Sequence, residues 1–121
     1  MFALGFAEVL VLALMSGGMA SADLVSLVQP QHYFQARKID VSIDRMVDIA
    51  NTEPKDAKAQ IMQLTALRYL ADETEAFKKA PNYATNRQAL EAIAQGKKAQ
   101  DPLGFAQDYA NRVLARLVLG E

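Results

Sequence analysis

The chain has no cysteine and no tryptophan, and its single histidine is His32. Without thiols, disulfides, thiolate nucleophiles and cysteine-based metal sites are excluded. One histidine cannot furnish an ordinary zinc site, and no Cys-x-x-Cys-His run is present for covalent haem attachment. Gly-x-Ser-x-Gly, the phosphate loop and Gly-x-Gly-x-x-Gly are also missing. No cofactor and no catalytic motif are therefore implied. Asn-x-Ser/Thr sequons do not occur either.

Charge of one sign is lacking as well. Lys and Arg number 13 against 14 Asp and Glu, for a net charge of −1. Nucleic-acid binding needs a basic face to neutralise phosphates, so this balance argues against it. Nor does any stretch alternate apolar and polar residues long enough to build a sheet. The expected fold class is all-α.

One long apolar run is present, at the start. Phe2 to Met15 is almost wholly apolar, Gly17-Gly18 breaks it, and Ala20-Ser21-Ala22 follows. An apolar stretch ending in a small-x-small triplet reads as an export signal cleaved after Ala22. The expected setting is then periplasmic, envelope or secreted. Two alternatives stay open. A spanning anchor needs roughly 20 apolar residues, and residues 2–22 reach that only by including Glu8, a costly mid-bilayer carboxylate. A buried first helix of an ordinary domain is the other. Only Glu8 of the acids precedes Ala22, and every Lys and Arg follows it. Residues 23–121 thus form a near-neutral single domain with a modest core.

Along that domain, Asp23 to Val28 is a short mixed segment before Pro30, and His32-Tyr33-Phe34 suits either a strand or a helical turn. Ile43, Met46, Val47 and Ala50 fall at helical spacing, with Asp40 or Ser42 as N-cap. Pro54 is expected in the first turn of the next helix, where its missing N–H costs nothing. Ala57, Ile61, Leu64, Leu67 and Ala71 line that helix, widened by Met62, Ala66, Tyr69 and Leu70. So wide a stripe implies neighbours on more than one side. Residues 72–75 either continue it or begin a short turn carrying Ala76 and Phe77.

Thr85 to Gln88 has capping-box spacing ahead of Ala89, Leu90, Ile93 and Ala94. Gly96 follows at a place suited to a left-handed cap. Asp101-Pro102 then opens a last helix whose apolar face runs from Phe105 to Val118. The expectation is four to five antiparallel helices joined by short connections, as a bundle or short solenoid.

The stretches "NRQALEAIAQGKKAQDP" and "YANRVLARLVLGE" carry a resemblance. Residues 54–121, rich in Ala and Leu with Asp-Pro between helices, resemble HEAT-type helical repeats. The resemblance implies a scaffold or protein-binding surface, with Asp101 and Arg112 in the places of the family's Asp and Arg ladder. Such arrays bury a continuous core with about three repeats. Two fit here, so self-association through the apolar last helix is a further expectation.

Three groups of side chains are candidate interaction sites. His32, beside Tyr33 and Phe34, could serve as a base or ligand, or sit as a partly buried ring. Asp40, Asp44 and Asp48 are spaced four apart, which on a helix gives an acidic face for a hard cation or for solvent. Lys78-Lys79 and Lys97-Lys98 fall near expected helix ends, where cations suit the dipole or an acidic partner. The partner class favoured is protein, with membrane association confined to residues 2–22.

Overall fold

A computed structural model describes residues 29–96, 101 and 103–119. Within them lie six helices and no strands: α1 (Pro30–Ala36), α2 (Ile43–Asn51), α3 (Ala57–Asp72), α4 (Thr74–Lys79), α5 (Tyr83–Ala94) and α6 (Phe105–Leu119). The protein is an all-helical bundle. Residues 2–22, with the expected cleavage site, and Lys97 and Lys98 lie outside the described residues.

The four longer helices close a ring. α2 packs on α3, α3 on α6, α6 on α5, and α5 back on α2. Chain neighbours α2 and α3 sit side by side, as do α5 and α6. The step from α3 to α5 crosses the ring diagonally, and the short α4 makes it, touching α3, α5 and α6. α1 rests on α3. α3 is therefore the common support, which explains its broad apolar stripe. Leu64, Ala66, Leu67 and Leu70 are all fully buried, and even Gln63 and Thr65 are shut in. The rest of the core comes from Phe34, Met46, Phe77, Leu90, Ile93, Val113 and Leu117.

The helix starts follow local chemistry, and two of them, at Pro54 and Thr85, depart from expectation. Ser42, not Asp40, caps α2, its hydroxyl accepting from the Arg45 N–H at 3.2 Å. Asp56 caps α3 by accepting from the Ala59 N–H at 2.8 Å. Pro54 consequently lies outside α3, because the cap has passed to Asp56. Thr85 does not open a capping box, since α5 already begins at Tyr83. The reason is the tight turn in which the Tyr83 N–H bonds the Ala80 carbonyl, which runs straight into helix. Asn82 then stands at the N-cap position, but its amide is drawn to Asp44 instead. His32-Tyr33-Phe34 is helical, inside α1. The Asp72–Glu75 stretch breaks at Glu73, and α4 follows as a separate element.

Candidate functional site

The C-terminal end of each helix leaves about four backbone carbonyls without intrahelical partners. In this bundle, side chains from neighbouring helices take several of them. Gln63 of α3 donates Nε2–H to the Ala50 carbonyl, in the last turn of α2, at 3.0 Å. Arg116 of α6 donates to the Ala71 carbonyl, in the last turn of α3, at 3.1 Å. Gln107 and Asn111 of α6 both donate to the Ala94 carbonyl that ends α5, at 3.0 and 3.4 Å. Three of the four ring helices are thus closed at their C-terminal ends by the next helix in space. Gly96 helps, with φ at +74°, and Gln107 packs beside it.

The acidic candidates divide. Asp40 lies before α2, because Ser42 starts that helix, so the three aspartates do not share one helical face. Asp48 is exposed, and its carbonyl accepts from the Thr52 hydroxyl at 2.8 Å. Asp44 is a tie between α2 and the start of α5. Its two carboxylate oxygens accept from Asn82 at 3.0 Å and from the buried Asn86 at 2.9 Å. Those amides satisfy the carboxylate in place of a cation. Among the described residues no group of three or more His, Asp or Glu side chains could hold a metal ion. His32 is exposed on α1, beside the buried Tyr33–Phe34 edge-to-face pair.

Asp101 does cap α6, though from farther away than expected. α6 begins at Phe105, and the carboxylate accepts from the Ala106 and Gln107 N–H groups, both at 3.1 Å. Burial raises its pKa above the usual 3.8, and the backbone N–H groups that bond the ionised form pull the other way. Arg112, its counterpart in the HEAT resemblance, pairs with Asp108 of its own helix at 2.9 Å.

Lys78 and Lys79 occupy the last turn of α4, as dipole complement requires, and Lys78 pairs with Glu75 at 3.6 Å. Arginine supplies the other cations of interest. Arg68, Arg112 and Arg116 rim a cleft of α3 and α6 floored by Leu67, Ala71 and Tyr109. Arg116 also reaches Asp72 at 3.4 Å, so this cleft is partly neutralised by its own carboxylates.

A second cleft lies between α1 and α3, lined by Tyr33, Arg37, Lys58, Ala59, Ile61 and Met62. The Arg37 guanidinium carbon sits over the Tyr33 ring, 3.7 Å from its centre, and Arg37 donates to the Tyr33 carbonyl at 3.0 Å. Burial raises the Tyr33 pKa, against the lowering pull of Arg37. Sequence reasoning passed over Arg37 and Lys58, because residues 21 apart in the chain share no periodicity. Their only sequence signal is a lysine in the first turn of a helix, at its positive end.

No family model matches this chain, and no curated protein or solved structure matches it either.

Proposed function

We propose that the chain is an exported, non-catalytic helical module that binds other proteins or stabilises an assembly of them. One observation carries the reading. The polar side chains best placed for chemistry are spent on the fold, Asp44, Gln63 and Gln107 tying helices together and Asp101 capping α6, while aliphatic surface is left in the open. At the C-terminal end of α6, Val118 is 54% exposed and Leu119 84% exposed. Adjacent aliphatic side chains exposed at one helix end offer apolar area that a docking partner can cover. The resemblance of residues 54–121 to HEAT-type repeats points the same way. The small-x-small triplet ending at Ala22 supplies the export part of the proposal.

Two measurements test the two halves. Mass spectrometry of the protein from its native source should find Asp23 as the amino terminus, and an intact Met1 would remove the export reading. A photo-crosslinking amino acid at position 119 should give a discrete adduct, with another protein or a second copy. The same probe at exposed Gln35 serves as control. No adduct from position 119 beyond that control, in a folded variant, would count against the interaction reading.

A further inference from the structure

The cleft between α1 and α3 gathers two cations, Arg37 and Lys58, over an apolar lining. The first turn of α3 carries Lys58 and no acid, although the amino end of a helix favours negative charge. Asp56, the N-cap, gives that end its negative charge and spends it on the Ala59 N–H. Arg37 adds a second cation from α1, and its contact with the Tyr33 ring holds the guanidinium in place. No carboxylate lines the cleft, unlike the α3–α6 cleft with its Asp72. Ala59, Ile61 and Met62, all partly buried, line the cleft with the two cations and the buried Tyr33.

We propose that this cleft docks a peptide segment of a partner protein in which an aliphatic side chain stands next to a carboxylate. The aliphatic group fits against Ile61 and Met62, where the pliable thioether adapts to its shape. The carboxylate meets Arg37 and Lys58, the two cations that line the cleft. The cleft is about 310 Å³, and its two cations, Arg37 and Lys58, are exposed to solvent. That suits a chain lying across it better than a small ligand, which needs most of its surface enclosed. This inference rests on the interaction reading above but uses a different surface from Val118 and Leu119.

The test uses the full chain, isotope-labelled, and an acetylated, amidated Glu-Leu-Leu-Glu peptide. The amides of Tyr33, Arg37 and Lys58 to Met62 should shift saturably, with weak affinity, roughly millimolar to tens of micromolar. Binding should weaken several-fold when salt is raised to about 0.5 M, as expected for partly exposed charges. Analogues with Lys for Glu, or Ser for Leu, should not shift these amides. Lys58→Glu should lose binding about tenfold or more while raising the melting temperature, because it corrects the helix-end charge. That pair of opposite effects separates a docking role from a structural one. Several results would overturn the proposal: no saturable shifts, shifts confined to other surfaces, or unchanged affinity in Lys58→Glu. Dodecanoate binding the same amides more tightly than the peptide would also overturn it, in favour of a lipid. Failure here with a crosslink at position 119 intact removes this proposal alone.

Discussion

Gln63 offers a sharp test of how the bundle is held. Its side chain is 3% exposed, its Nε2 donates to the Ala50 carbonyl at 3.0 Å, and its Oε1 has no hydrogen-bond partner. The residue thus contributes one bond and carries one unmet acceptor. Gln63→Leu removes both. It leaves the Ala50 carbonyl bare, a loss of about 1–3 kcal/mol, but it also removes the buried orphan oxygen and adds apolar contact. The net change should be small, within about 1 kcal/mol. Gln63→Glu keeps the shape and changes the sign of the problem. At neutral pH it sets a carboxylate against a carbonyl oxygen in a closed space. Burial and the carbonyl both raise the new carboxyl's pKa, and each unit of rise costs about 1.4 kcal/mol of folding stability once the pH exceeds that raised value.

The sign of the pH effect follows. A carboxyl whose pKa is higher folded than unfolded destabilises increasingly as pH climbs from about 4.3, the unfolded value, to the raised one. Below that window the protonated acid donates to the Ala50 carbonyl and replaces the amide. Denaturant melts of wild type, Gln63→Leu and Gln63→Glu between pH 4 and 7 supply the measurement. Gln63→Glu should lie near the other two at pH 4 and fall about 3 kcal/mol or more below them at pH 7. A pH-independent difference would refute the claim that this side chain is sealed against the end of α2.

Other expectations follow from single contacts. Asp44→Ala leaves the buried Asn86 amide unpaired and should cost about 1–3 kcal/mol by urea unfolding, with Asp44→Asn in between. Lys38 has φ at +57°, so Lys38→Gly should relieve about 1 kcal/mol of left-handed strain and raise the urea midpoint. Carboxyl-carbon NMR should show Asp101 titrating above 3.8, with desolvation as the main cause. Wild type should then lose some stability as pH rises from the ordinary value to the raised one, and Asp101→Asn should lack that loss. Leu67→Ala, at a fully buried site on α3, should cost about 2–5 kcal/mol.

Much of the fold was legible because helix periodicity is local. The faces Ile43-Met46-Val47-Ala50 and Phe105 to Leu117 depend only on residues three and four apart, and both form as the spacing requires, whereas Val118 is left exposed. Gly96 was legible too, because a left-handed residue after a helix has few occupants. Helix starts were less so. Competing acceptors decide a cap, and the diversion of Asn82 to Asp44 could not be foreseen from residues 38 apart. The candidate site suffered in the same way. Four-residue spacing put Asp40, Asp44 and Asp48 on one helix, but Ser42 began that helix between the first two. Arg37 and Lys58 meet only because α1 rests on α3.

The sequence by itself determined the all-helical class, the want of cysteine chemistry and the positions of the apolar faces. These depend on composition and on interactions within a turn or two. Only the tertiary structure decided the ring order of α2, α3, α6 and α5, and the capture of Ala50, Ala71 and Ala94 by neighbouring helices. It also decided which charges stand together. Those outcomes turn on which apolar faces meet, and a helix stripe specifies that it must be covered without specifying by what.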